Sequence, residues 1–152
     1  MTFQYVMHVG VCVRDLERSL RFYRDGLGFA EVGVGRLEIE GEPTATMLGL
    51  PDLELHAIYL ERDGVRIELL HYPRPGTVGP AEARPMNQPG LTHFAMRVTD
   101  LDEAIERIRD FGGHLVEGSR VHNPVYAAHL TYVTDPDGTR IELIETPKDP
   151  TR

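Results

Sequence analysis

The sequence of 152 residues has one cysteine, no tryptophan and no apolar run close to the length of about 20 residues that a membrane-spanning helix requires. A single cysteine, Cys12, cannot form an internal disulfide, which fits a reducing compartment. The N-terminus carries neither the basic segment nor the apolar segment of a secretion signal. These absences predict a cytoplasmic protein that does not associate with a membrane.

Positive charge is also scarce, with 16 Lys and Arg against 24 Asp and Glu and a formal net charge of -8. Such a balance argues against nucleic acid as the main partner, because nucleic-acid binding needs a basic surface. Apolar residues make up 41% of the chain and charged residues 26%, which is ordinary for a globular protein. The charge balance argues only weakly against a small-molecule substrate, even an anionic one, because one local basic pocket can outweigh the net charge.

An internal repeat is the most informative feature of the sequence. The segment HVGVCVRDLE begins at His8, and HFAMRVTDLD begins at His93. Each histidine therefore lies seven residues before a triplet of Asp, Leu and a second acidic residue. A second pair of segments follows in the same order: DGVRIEL begins at Asp63 and DGTRIEL begins at Asp137. The recurrence of order and spacing indicates a duplicated module.

Each copy has the pattern of a strand, a helix and three further strands. Alternating apolar residues predict the first strands, Asp15 and Asp100 are suitable helix N-caps, and Gly28 and Gly112 lie where the helices should stop. The predicted strands are 4–13, 29–38, 54–61 and 64–71 in module 1, and 91–98, 114–118, 128–134 and 138–145 in module 2. The expected class is α+β, built from two tandem βαβββ modules.

We expect one domain spanning 1–152, with module 1 at about 3–71 and module 2 at about 91–146. The segment 72–90 is rich in proline and glycine, and is either a linker or a lid over a site. The residues 147–152 are predicted to form a frayed tail.

The repeat places a histidine at the first strand and a glutamate on the last strand of each module. Side chains alternate across a strand, so these polar residues should leave the aliphatic face that packs under the helix. Two imidazoles and two carboxylates suit a divalent first-row metal ion and can leave coordination positions open for a substrate. The four candidate ligands are His8, Glu68, His93 and Glu142.

The chain resembles the vicinal oxygen chelate superfamily, which includes glyoxalase I, methylmalonyl-CoA epimerase, extradiol dioxygenases and the fosfomycin and bleomycin resistance proteins. The resemblance covers about 4–146 and rests on the DLERSLRFY segment ending at Tyr23, the GLTH segment ending at His93, and the DPDG turn followed by IEL. It implies paired modules that form a cup around one divalent metal (Ni, Zn, Co, Mn or Fe), and a homodimer. The matching ligand positions are His8, Glu68, His93 and Glu142.

The second carboxylate favours a glyoxalase-like lyase, isomerase or epimerase, since proton transfer next to a metal-bound carbonyl needs a base and an acid. Glu68 and Glu142 are the candidates for these two roles, and the sequence does not choose between them. An extradiol-type dioxygenase using His8, His93 and Glu142 is one alternative. A drug-binding protein without catalysis is another.

Three residues of module 2 are candidates for contacts around the metal ligands: Tyr132, His129 and His122. Tyr132 lies ten residues before Glu142, as in the dioxygenase signature. The other histidines, His56, His71 and His114, have no repeat partner and are expected to be structural or at the surface. Possible substrate-contacting residues at the rim are Arg36, Arg97, Arg120 and Asn123, and a possible apolar lining is Met47, Leu48, Leu50 and Leu55.

Overall fold

The computed structural model describes residues 2–149, and the chain divides into two compact units between Gly79 and Pro80. Each unit contains one copy of the sequence repeat, and each is considered by itself. No helix in the described part of the chain is long and apolar enough to cross a membrane.

Unit 1 is a four-stranded sheet with two short helices. Its elements are β1 (Val9–Val13), α1 (Leu16–Leu20) continued by a π-helical segment (Arg21–Gly26), β2 (Ala30–Glu40), α2 (Thr44–Leu48), β3 (Glu54–Arg62) and β4 (Val65–Arg74). The strand order is β1-β4-β3-β2, with β1 parallel to β4 and the other neighbours antiparallel.

Unit 2 repeats this topology. Its elements are β5 (Phe94–Val98), α3 (Leu101–Asp110), β6 (His114–Leu115), β7 (Val121–Asn123), β8 (Ala128–Thr134) and β9 (Arg140–Glu145). The order is β5-β9-β8-β6, with β7 also paired to β8 and with β5 parallel to β9. The predicted α+β class and the repeated βαβββ order are confirmed.

The two predicted helices, α1 and α3, begin where the sequence predicts. Asp15 and Asp100 have nearly the same extended backbone, and each side chain accepts a hydrogen bond from the backbone N–H three residues on, at 2.9 Å. This is the N-cap arrangement that satisfies an otherwise unpaired donor of the first turn. The duplicated sequence therefore starts both helices by the same local chemistry.

The turns into the last strands are also as expected, although they differ in construction. Asp63 and Gly64 both have positive φ, which is typical of the two-residue turn that fits the twist of a hairpin. In unit 2 the turn is longer, and Asp135 stabilises it by accepting hydrogen bonds from the backbone N–H groups of Asp137 and Thr139. Both turns place a glutamate on the strand that follows.

One face of each sheet carries a row of buried aliphatic residues, which pack against the helix that follows the first strand. In unit 1 the buried residues of this face are Val11, Val13, Ile58, Leu60, Ile67 and Leu69, and those of the helical region are Leu16, Leu20, Phe22 and Tyr23. In unit 2 the corresponding buried residues are Val133, Ile141, Leu143, Leu101, Ile105 and Ile108. Burial of these side chains fixes which residues face the other side.

Several elements differ from the sequence prediction: β5 and β6 are shorter than predicted, β4 extends to Arg74, and three further differences concern β1, α2 and β7. The first strand begins at Val9 instead of about residue 4, because its pairing with β4 starts there, at Val9 opposite Ile67. The short helix α2 was not predicted; it has no side-chain N-cap and covers the sheet with Ala45. Strand β7 was not predicted either, since three residues are too few to show an alternating pattern.

Candidate metal-binding residues

The first pair of candidate metal ligands, His8 and Glu68, lies in unit 1. His8 comes directly before β1, and Glu68 lies in the middle of β4. Glu68 is paired with Gly10 across the parallel ladder, and this register brings it beside His8, which precedes β1. The His8 Nε2 and Glu68 Oε2 atoms are 3.0 Å apart, and both side chains are partly buried. His8 Nδ1 is buried and has no hydrogen-bond partner among the described residues.

Unit 2 contains the equivalent pair. Glu142 is opposite Ala95 in the parallel ladder and lies beside His93, which precedes β5. The distance from His93 Nε2 to Glu142 Oε2 is 3.3 Å, and here too the side chains are partly buried. His93 Nδ1 differs from its counterpart because it lies 3.0 Å from Thr92 Oγ1.

A tyrosine completes each pair. Tyr132 is directly opposite Glu142, with its ring 5.4 Å from the His93 ring. Tyr59 is directly opposite Glu68, with its ring 5.2 Å from the His8 ring. The sequence interpretation selected Tyr132 and missed Tyr59, although Tyr59 lies nine residues before Glu68 and the repeat could have identified it.

The two tyrosines interact differently with their glutamates. The pKa of Tyr59 is raised, chiefly because its hydroxyl hydrogen-bonds to Glu68 and also because it is partly buried. The pKa of Tyr132 is raised mainly by burial, with a smaller contribution from the negative charge of Glu142. Glu68 is thus the carboxylate that receives a phenolic hydrogen bond.

The spacing within each pair fits shared coordination of a metal ion. Two ligand atoms held about 2.1 Å from one ion lie roughly 3.0 Å apart at a right angle and about 3.4 Å apart at a tetrahedral angle. Both observed N–O distances fall in this range. Within the described residues, no three or more His, Cys, Asp or Glu side chains form a group that could hold a metal ion, so the candidate ligands occur as one His–Glu pair in each unit.

The structure does not bring His122 and His129 to the Glu142 pair. His129 is opposite Glu145, three residues from Glu142, and three residues along a strand reverse the face. His122 is opposite His129, and their rings are 4.6 Å apart. Of the three residues selected around the ligands in module 2, only Tyr132 lies beside them.

The histidines without a repeat partner lie apart from the two pairs. His56 Nε2 is 3.2 Å from Glu54 Oε1, and His71 Nδ1 is 3.4 Å from the backbone oxygen of Val13. His114 is exposed at the start of β6. These positions match the structural or surface roles expected for them.

The basic and amide groups selected from the sequence already have partners. Arg36 pairs with Glu17, and Arg120 with Asp102. Arg97 donates to the backbone oxygens of Thr146 and Pro147. Asn123 accepts a hydrogen bond from the backbone N–H of Val125. All four side chains therefore make contacts within the chain.

The possible apolar lining divides into buried and exposed residues. Leu55 belongs to a buried cluster with Ala45, Leu53 and Ala57, and Leu50 packs against it. Met47 is 75% exposed and Leu48 is 36% exposed. Only these last two, on α2, are available to a ligand.

Comparison with known proteins gives consistent results. The family model described as Glyoxalase/Bleomycin resistance protein/Dioxygenase superfamily matches residues 5–143. A probable lactoylglutathione lyase from Synechocystis sp. is 32% identical, covering 93% of this chain and 95% of that protein. A lactoylglutathione lyase from Neisseria meningitidis is 30% identical, covering 92% of this chain and 89% of that protein.

A solved structure, that of a glyoxalase family protein from Bacillus cereus, has a similar fold. It aligns with a TM-score of 0.77 at 24% identity, covering 96% of this chain and 98% of that one. At this level of identity the similarity concerns the fold alone.

Proposed function

The chain belongs to the glyoxalase/bleomycin resistance protein/dioxygenase superfamily, and on that premise we propose that it is a metal-dependent glyoxalase-type lyase or isomerase. The observation that carries the proposal is the repeated His–Glu pair, His8 with Glu68 and His93 with Glu142. The similarity to lactoylglutathione lyases over more than nine-tenths of this chain supports it.

In this proposal the two pairs together would hold one divalent ion, taken from Ni, Zn, Co, Mn and Fe. Imidazole nitrogens and carboxylate oxygens suit all of these ions. When bound, the ion would stabilise the negative charge that develops on a substrate carbonyl oxygen. The proposal also includes a homodimer located in the cytoplasm.

The chain's own carboxylates would move the proton. A glutamate beside the substrate can take a proton from the carbon next to the carbonyl and return it to the neighbouring position. The Tyr59 hydroxyl hydrogen-bonds to Glu68 and so occupies one acceptor position of this carboxylate. We therefore assign proton abstraction to Glu142 first, with Glu68 as the second acid–base group.

The experiment that tests the function offers the purified protein two substrates. One is the hemithioacetal of a 2-oxoaldehyde and glutathione in deuterated water, and the other is a catechol under oxygen. A lyase or isomerase converts the first into a thioester and incorporates solvent deuterium next to the carbonyl. Glu142→Gln and Glu68→Gln should each lower turnover by about 10²–10⁴-fold, the usual contribution of a positioned acid or base.

A matched control is Glu106→Gln on the exposed side of α3, where the carboxylate pairs with Arg109 on the same helix. This variant should keep the activity of the unmodified protein. If no thioester forms with any of the candidate metals, the proposal is rejected.

The dioxygenase alternative is favoured by one specific observation, the position of Tyr132 opposite Glu142 and against His93. It predicts oxygen uptake with the catechol that survives Glu68→Gln, because only His8, His93 and Glu142 would be needed. Tight binding of an aromatic ligand with neither reaction would instead identify a binding protein.

A further inference from the structure

Two arginines occupy equivalent positions in the repeat, each two residues before the glutamate of its unit. Arg66 precedes Glu68 on β4, and Arg140 precedes Glu142 on β9. Residues two apart on a strand lie on the same face, so each guanidinium extends from the face that carries the His–Glu pair. The two arginines can therefore be compared directly.

Their charge environments differ. Arg66 is neutralised by Glu61, whose Oε2 accepts from Nη2 at 2.7 Å and from Nε at 3.2 Å. In the described part of the chain Arg140 has no carboxylate partner, and its Nη2 donates to the backbone oxygen of Arg84 at 2.8 Å. Unit 2 thus has a guanidinium without a carboxylate contact where unit 1 has an ion pair.

Arg140 also has an unused donor. Its Nη1 atom is buried and has no hydrogen-bond partner among the described residues. A buried N–H group without an acceptor destabilises the fold, and more so when it is charged. Among the described residues only His8 Nδ1 and Ser19 Oγ share this property, and neither carries the fixed charge of a guanidinium. A buried, charged donor of this kind is expected to have an acceptor from outside the described residues.

The position of Arg140 relates this donor to the candidate metal ligands. The guanidinium carbon lies 5.8 Å from the centre of the Tyr132 ring, and that ring contacts the ring of His93. Tyr132 in turn is opposite Glu142 in the antiparallel ladder. Arg140, Tyr132, His93 and Glu142 therefore form one continuous group in unit 2.

The segment that follows Gly79 contacts both the guanidinium and the turn before β9. Besides the Arg84 carbonyl on Nη2, the backbone of Ala81 and Glu82 lies against Gly138, where an added Cβ would be 3.0 Å from both. The Arg84 oxygen therefore occupies one of the two terminal donors of the guanidinium. A carboxylate that bound both donors would replace this oxygen and satisfy Nη1.

We propose that Arg140 anchors an oxyanion of the substrate, a carboxylate or a phosphoryl group, beside the His93–Glu142 pair. The planar guanidinium presents two parallel donors that match such groups. The inference rests on the proposed function for the identity of the reacting centre, and it adds that the substrate carries a negative charge away from its carbonyl.

The test measures binding of three small probes to the full chain, before and after treatment with a chelator. The probes are propionate, its neutral isostere propionamide and inorganic phosphate, with dissociation constants taken from NMR titration. Arg140→Met should weaken oxyanion binding at least about tenfold, as expected for loss of a charge-assisted hydrogen bond. Arg66→Met removes the equivalent but neutralised guanidinium and should leave it unchanged.

Arg140→Lys serves as a second variant in case Arg140→Met does not fold, because lysine keeps the charge but loses the paired donors. It should bind the oxyanion with intermediate affinity. Whichever of propionate and phosphate binds more tightly through Arg140 identifies the group. Equal binding of propionate and propionamide, or unchanged oxyanion binding in both Arg140 variants, would overturn the proposal.

The outcome is separable from that of the proposed function. If Arg140→Met abolishes oxyanion binding in a protein that does not convert the hemithioacetal, the anchor holds and the lyase assignment fails. If the hemithioacetal is converted with the same KM by the unmodified protein and by both Arg140 variants, the lyase assignment holds and the anchor fails.

Discussion

The two units of this protein share a strand order and a helix-start signal, yet the polar groups around their equivalent glutamates differ. In unit 1 the tyrosine donates to Glu68, and the neighbouring arginine is paired with Glu61. In unit 2 the arginine has no carboxylate partner among the described residues. In unit 1 the glutamate and the arginine thus both have side-chain partners, whereas in unit 2 one donor of the arginine has no partner among the described residues.

This difference shows which features of a duplicated fold recur in both copies and which diverge. Backbone pairing and aliphatic burial are the features that both copies need, and they are the ones that recur. The groups next to the glutamates make no contribution to the shared core, so they can diverge without disturbing it. Substitutions at equivalent positions in the two units measure how far the two copies differ in metal binding and stability.

The largest expected effect concerns metal binding. His8→Ala and His93→Ala should each remove most of the bound metal, since each deletes one of the four proposed ligands. Folding should be retained because both side chains are partly exposed and precede the paired part of the strand. Elemental analysis of the purified proteins and circular dichroism measure the two properties.

His114→Ala, which alters an exposed histidine at the start of β6, is the control and should keep its metal. Full metal content in either His8→Ala or His93→Ala would show that the two units do not contribute equally to one site.

Much of the fold could be predicted because the repeat displays local signals twice. The caps at Asp15 and Asp100 and the glycine-containing turns depend on neighbouring residues only, so the sequence contains the information needed to locate them. Helix α2 and strand β7 escaped prediction because they are short and depend on tertiary contacts. The extent of β1 depends on where β4 pairs with it, and a sequence does not display such a partner.

The same distinction applies to the candidate site. The repeat indicates which histidine and glutamate occupy equivalent positions in the two copies. Their approach depends on the parallel pairing of β1 with β4 and of β5 with β9, and the exclusion of His129 depends on its register with β9. A shift of one residue would have reversed its face. The unused donor of Arg140 also could not be foreseen, because it results from the path of a segment without regular structure.

A second comparison concerns the hydrophobic core. Leu69→Ala and Leu143→Ala truncate equivalent, fully buried side chains, and each should lower the free energy of unfolding by about 2–5 kcal/mol. The loss should be greater for Leu69, whose cross-strand neighbours are Val11 and Ile58, two buried aliphatic residues. Leu143 lies between Met96 and Thr131.

Chemical denaturation monitored by circular dichroism gives the two values. Val65→Ala, on an exposed position of β4, is the control and should change the free energy of unfolding by less than about 0.5 kcal/mol. A greater loss for Leu143→Ala than for Leu69→Ala would contradict the idea that unit 1 has the more apolar surroundings at this position.

The smallest expected effect distinguishes the two helix starts. Asp15→Ala removes the N-cap of α1 and should lower the free energy of unfolding by about 1 kcal/mol. Asp100→Ala should cost less, because the Glu145 carboxylate also accepts from the backbone N–H of Leu101 and still satisfies one donor of the first turn of α3. The equivalent position in unit 1 is His71, which lies near the backbone oxygen of Val13 and caps no helix donor among the described residues.

Asp15→Asn and Asp100→Asn should retain most of the stability, since asparagine is a comparable cap. If Asp100→Ala and Asp15→Ala cost the same, while the double variant Asp100→Ala with Glu145→Ala costs no more than Asp100→Ala alone, the Glu145 carboxylate does not stabilise α3 and the two helix starts are energetically equivalent.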